Sequence, residues 1–234
     1  HRGVFGKVIN PTKARTFRWM DCLFTMKYAI VVAVLVVLIA IAQVLVARSS
    51  DSTEQQRYTV VYSEGDFEVR RYPEALLASV DSRDNSLRGS ANNNFRRLAG
   101  YIFGGNDKGQ KIAMTAPVHM EQAGTGSRMS FVMPSDLQQE KLPAPDDRGI
   151  VFHTSPEQVV AVVRFSGFAS DDDIAQNTEV LSKWISSKGL VAASNFSYLG
   201  YNPPYQLVNR RNEVAVTVDG QGLASLLAAT SGTH

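Results

Sequence analysis

An internal repetition sets the tightest limit on the architectures open to this chain. "YPEALLASV" (72–80) and "SPEQVVAVV" (155–163) share a Pro-Glu start and an apolar run at the same offset, 83 residues apart. Each copy is followed by a helix pattern and then by two strand-like segments, so the chain is expected to contain two similar strand–helix–strand–strand units. In the first helix, predicted over 84–103, the apolar positions Leu87, Ala91, Phe95, Leu98 and Ile102 step by 4, 4, 3 and 4, forming one stripe. Gly104-Gly105 should end it, because glycine suits the left-handed cap that stops a helix. The second helix, predicted over 171–188, opens on a Ser170/Asp173 capping box, carries Ile174, Thr178, Leu181 and Ile185 on one stripe and closes at Gly189. Asp171, Asp172 and Asp173 fall in its first turn and read as a cap rather than a metal site. Strands are predicted at 67–70, 75–81, 111–120, 129–133, 150–154, 158–166, 195–201 and 212–218. Eight strands and two helices indicate an α+β fold, a curved sheet or barrel with one helix on each half.

Ahead of this unit, residues 28–47 form twenty uncharged residues with Gln43 as the one polar side chain. At about 1.5 Å per residue such a helix reaches about 30 Å, the depth of a hydrocarbon core. It is read as a transmembrane anchor; a cleaved signal sequence, cut near Ala40-Ile41-Ala42, is the rival and would make the protein secreted. Residues 1–27 are basic, with Arg2, Lys7, Lys13, Arg15, Arg18 and Lys27 against Asp21. Basic flanks stay on the cytoplasmic side, so the following domain is expected to be extracytoplasmic, periplasmic or equivalent. The chain opens on His1, and Met26-Lys27 has the form of a bacterial-style start, which leaves 1–25 open to being non-native. Residues 48–57 read as a polar linker, 58–219 as the domain, and 220–234 as a loose tail.

The net charge of +2 gives no nucleic-acid footprint. Cys22 is the single cysteine, so no internal disulfide or cysteine-only metal site is possible. No nucleophile elbow, metalloprotease helix, phosphate loop or dinucleotide fingerprint occurs, and no enzyme is indicated. On the 111–120 strand, alternation separates Ile112, Met114, Ala116, Val118 and Met120 from Lys111, Thr115 and His119. His119 and His153 are read as ordinary, partly exposed histidines. Basic residues Arg96, Arg97, Lys108, Lys111, Arg210 and Arg211 border the first helix, its turn and "GYNPPYQLVNRRNEV" (200–214). That segment has two readings: a stiff loop with solvated arginines, or an aromatic-and-proline wall for a flat ring system bearing carboxylates.

"GGNDKGQKIAMTAPV" (104–118), "GYNPPYQLVNRRNEV" and the opening "YSEGDFEVRRYP" (62–73) resemble the SOUL/haem-binding protein family over residues 58–219. The resemblance implies a distorted barrel of two pseudo-symmetric halves, each an antiparallel sheet with one helix. It implies non-covalent binding of haem or another tetrapyrrole beside the first helix and the final hairpin. Carried onto matching positions, the site comprises Arg97, Leu98, Tyr101 and Ile102 on the helix, Lys108 in the turn, and Tyr201, Pro204, Tyr205 and Arg210 in the hairpin. One branch of the family offers iron a histidine upstream of the first helix, whereas residues 58–91 hold none. Lys108 and Arg210 are therefore expected to meet the ring carboxylates while Leu98, Ile102, Pro204 and Tyr205 cover the ring, which requires Ile102 to be partly exposed. Two rival readings stay open: a binder of assorted amphipathic small molecules, like the similar halves of drug-sensing regulators, and a scaffold that recruits a protein partner through the proline-rich loop.

Overall fold

The computed structural model describes residues 11–51, 53–83 and 87–231. The chain divides into two compact units, His1–Val46 and Ala47–His234. Helix α1 spans Pro11–Asp51, and its stretch Lys27–Ser49 is long and apolar enough to cross a membrane. The large apolar side chains from Tyr28 to Leu45 are exposed.

The second unit contains, in order, β1 (Glu54–Gln55), β2 (Thr59–Glu64), β3 (Phe67–Tyr72), β4 (Ala75–Ser82), α2 (Leu87–Ile102), β5 (Thr115–Ala116), β6 (Val118–Ala123), β7 (Gly126–Val132), β8 (Ile150–Ser155), β9 (Gln158–Phe165), α3 (Asp171–Ser187), β10 (Ser197–Gly200), β11 (Asn212–Thr217) and α4 (Gly220–Ser231). Nine strands form one antiparallel half-barrel in the order β2-β3-β9-β11-β10-β6-β7-β4-β8. Divided between β10 and β6, it yields β6-β7-β4-β8 and β10-β11-β9-β3, the same order twice, with β2 added outside the second half. The repeat units are thus β4-α2-β6-β7 and β9-α3-β10-β11. The strand preceding each unit pairs with the other half: β3 with β9, and β8 with β4. That exchange stitches the halves together.

α2 packs on β4 and β7, and α3 on β9 and β11. Leu98 and Ile102 of α2, Leu181 and Ile185 of α3, and Val214 and Val216 of β11 belong to one buried cluster, so both helices cover the same face of the sheet. The capping box is present: Ser170 Oγ accepts from Asp173 N, and Asp173 Oδ2 accepts from Ser170 N. The predicted start of the first helix at Asp84 lies outside the described residues.

Three expectations need correction. The 111–120 strand is broken, because Pro117 has no N–H to give a ladder; only Thr115–Ala116 and the residues from Val118 onward pair. The linker 48–57 is divided: Arg48–Asp51 continue α1, while Glu54–Gln55 pair in parallel with Thr115–Ala116. The described part of the loose tail, Gly220–Ser231, is helical. Asp219 Oδ1 accepts from Gly222 N at 2.8 Å, and Leu223 and Leu226 enter the core. Glycine is required at 222, where a Cβ would lie 2.7 Å from the Gly189 carbonyl oxygen.

Candidate functional site

α2 stops in a tightly built turn. Gly104 adopts φ +110°, and Gly105 N donates to Gly100 O at 2.8 Å. A Cβ on Gly105 would stand 2.8 Å from that same oxygen, which explains the paired glycines. Asn106 is buried and organises the loop beyond the helix. Its Oδ1 accepts from the backbone of Lys108 (3.3 Å) and Gln110 (2.9 Å), and its Nδ2 donates to Tyr101 O and Gln110 O. Asp107 Oδ1 accepts from Ala144 N at 2.9 Å, docking the turn on the 143–147 segment. Lys108 itself is exposed.

Of the predicted helix residues, Leu98, Tyr101 and Ile102 are only 0%, 1% and 1% exposed. They cannot cover a ligand, because the stripe that makes α2 amphipathic is the stripe that packs on the sheet. Tyr101 donates its hydroxyl to Pro143 O at 3.1 Å, and burial pushes its phenol up to about 12. Arg97 binds Asp147 through Nε (2.6 Å) and Nη2 (3.0 Å), and with help from Gly149 N it holds that carboxyl down at about 2. The outward side of the helix end instead shows Arg96, Gly100 and Phe103.

The hairpin 201–211 is fastened from inside. Gln206 is fully buried; its Nε2 donates to Val208 O and Asn209 O, and its Oε1 accepts from Asn202 Nδ2. Arg210 Nη1 donates to Pro203 O (2.7 Å) and Gln206 O (2.8 Å), and its guanidinium lies 4.6 Å over the Phe168 ring. Arg210 therefore ties the loop together rather than waiting for a carboxylate. Left outside by this fastening are Phe168 (55% exposed), Tyr205 (65%), Leu207 (55%) and Val208 (48%), with Pro204 exposed beside them. Because Gly200 pairs with Val118, the hairpin and the 103–117 loop leave the sheet side by side.

The rest of the hairpin motif is buried on the helix-free face. Glu213 Oε2 accepts from Arg70 Nη1 (2.7 Å) and Tyr201 Oη (2.8 Å), and Oε1 from Arg70 Nη2 (2.9 Å) and Arg211 Nε (2.8 Å). Burial would raise the Glu213 carboxyl, but the two guanidiniums outweigh it and hold it below the usual carboxylate range. Tyr201 is accordingly a partner of this cluster, with Arg211 3.9 Å over its ring. A strap formed by residues 54–58 lies across the cluster: Tyr58 stacks under Arg70 at 4.2 Å, and Arg211 Nη2 donates to Tyr58 Oη at 3.0 Å. Gln56 Oε1 lies 2.9 Å from His119 Nε2, and burial pushes that imidazole down to about 4. The motif residues Asn106, Asp107, Arg210, Arg211 and Glu213 thus hold loops and strands in place. The side chains that face outward are their neighbours, among them Phe168, Leu207 and Val208, which no motif or spacing in the sequence marks. Among the described residues no group of three or more His, Cys, Asp or Glu could hold a metal ion.

Residues 53–217 match the model of the SOUL heme-binding protein family. Heme-binding protein 2 of Homo sapiens is 32% identical over 158 residues, covering 64% of this chain and 77% of the relative. Heme-binding protein 1 of Bos taurus is 26% identical over 161 residues, covering 65% and 84%. The crystal structure of the EcmrR C-terminal domain superposes with a TM-score of 0.51 at 11% identity, over 69% of this chain and 98% of that one, a likeness of fold alone.

Proposed function

The chain belongs to the SOUL heme-binding family, and on that premise we propose that it binds haem or a related tetrapyrrole non-covalently on the exposed apolar surface of hairpin 201–211. The observation that carries this reading is the hairpin itself. Buried Gln206 and tied Arg210 stiffen a loop that holds Tyr205, Leu207 and Val208, with Phe168, out in water. A loop stiffened from inside that holds large apolar side chains out in water has the makings of a preformed ligand site.

Covering about 200 Å² of that surface at roughly 25 cal/mol per Å² gives about 5 kcal/mol before association costs. Carboxylates at the ring edge would turn toward exposed Lys108 and Lys111 on the adjacent loop, each pair adding about 0.2–1 kcal/mol. Arg97 and Arg210 are engaged elsewhere, so apolar contact dominates. The positive flank of the apolar helix supports an extracytoplasmic placement of the domain, held at a membrane through residues 28–47.

Haem titration followed by Soret absorbance tests the site. Leu207→Asp, at an exposed position, should weaken binding at least about tenfold with an unchanged melting curve, and Lys108→Ala only a few-fold. Unaltered affinity in Leu207→Asp rejects the hairpin. Absence of saturable binding rejects the tetrapyrrole reading and favours the hairpin as a protein-docking loop.

A further inference from the structure

A cavity of about 490 Å³ opens where the strap Glu54–Arg57 faces the start of β4 and the segment 132–140. This volume lies within the range of small-molecule sites. Leu76, Val132, Met133 and Leu137 supply its apolar surface. Its charged lining is Glu54, Glu74 and Glu140 against Arg57, three carboxylates to one guanidinium. An anionic tetrapyrrole is the wrong guest for that balance.

A second observation points to a ligand. Gln56 lines the cavity and is nine-tenths buried, yet its side chain meets one protein group, His119. Whichever way its amide is turned, one polar end is left accessible to a guest in the cavity. The parallel pairing of β1 with β5, and the bond from Gln56 N to Ala116 O at 2.8 Å, hold that wall in place.

We propose that this cavity is a second ligand site, for an amphipathic organic cation, separate from the hairpin surface. The apolar part of the guest lies against Leu76, Met133 and Leu137. Its cationic group faces Glu74 and Glu140, and the open end of the Gln56 amide takes a polar substituent.

The probe is benzyltrimethylammonium, titrated calorimetrically into the full chain in neutral-detergent micelles, with empty micelles as blank. Saturable, submillimolar binding is expected. Glu74→Gln/Glu140→Gln should weaken it at least about fivefold, as expected for two partly exposed charge pairs. Thr154→Trp, which fills the cavity from an exposed position on β8, should abolish it. Leu207→Asp should leave it unchanged. No saturable heat at millimolar probe overturns the proposal, as does equal affinity in both cavity variants or an equal loss in Leu207→Asp. Melting curves of all variants should overlay wild type, since each substituted side chain is exposed.

Discussion

Replacing Arg70 by methionine removes a guanidinium that is almost wholly buried and bidentate to a wholly buried carboxylate, with contacts of 2.7 and 2.9 Å to Glu213. Breaking such a pair from one side typically costs about 3–5 kcal/mol, because an uncompensated charge stays in the interior. Here Arg211 and the Tyr201 hydroxyl still reach Glu213, so the lower end, about 3 kcal/mol, is expected. In a domain of this size that is roughly 6–12 °C in Tm. Thermal unfolding followed by circular dichroism, repeated between pH 7 and pH 4, is the assay. In the wild type Glu213 sits below its unfolded pKa, so its contribution is present above about 4.5 and is lost as pH falls through its folded pKa. In Arg70→Met the carboxyl moves up, and protonation relieves the buried charge. The gap between the two proteins should therefore narrow as pH falls. A variant within about 0.5 kcal/mol of wild type, or a gap independent of pH, would refute the view that Arg70 neutralises a buried Glu213.

The same geometry fixes other outcomes. Ser170→Ala removes the cap acceptor of α3 and should cost about 1 kcal/mol in chemical denaturation, with no effect on haem titration. Burial holds His119 neutral down to about pH 4, so stability is full above its unfolded pKa of 6.5 and declines as pH falls from there toward 4. The loss is at most about 3–4 kcal/mol, an upper bound because the residue is only half-buried, and it should vanish from the pH–stability curve of His119→Gln. A reporter that needs an oxidising compartment, fused after α4, should be active, whereas activity only from a cytoplasmic reporter refutes the orientation.

Much of the fold was legible because it rests on periodicity. The Pro-Glu repeat marked the paired units, and the Ser170/Asp173 box marked α3. Strap and tail escaped for physical reasons. A two-residue parallel bridge such as Glu54–Gln55 is too short to show alternation, and its pairing with Thr115–Ala116 is set by tertiary contact. In α4 the spacing of Leu223 and Leu226 was a helical signal among small residues, but Gly220 and Gly222 masked it. The site was harder. Leu98 and Ile102 were asked both to pack the helix and to meet a ligand, and an amphipathic stripe can face only one way. Arg210 and Glu213 stood out as charged motif residues, yet sequence cannot distinguish a charge that faces solvent from one that fastens a loop. Leu207 and Val208 looked like ordinary apolar residues; only the buried side chain of Gln206 between Tyr205 and Leu207 turns its neighbours outward.

If an apolar hairpin surface holds the tetrapyrrole ring with no iron ligand, the metal should matter little to affinity. The decisive comparison is between haem and iron-free protoporphyrin binding to the full chain, followed by Soret absorbance and by porphyrin fluorescence. With contact to the ring face dominant, the two dissociation constants should agree within about threefold, and both should rise together in Leu207→Asp. Haem binding more than about tenfold tighter than the iron-free ring, worth over about 1.4 kcal/mol at the metal, would rule out a purely apolar site and establish axial ligation.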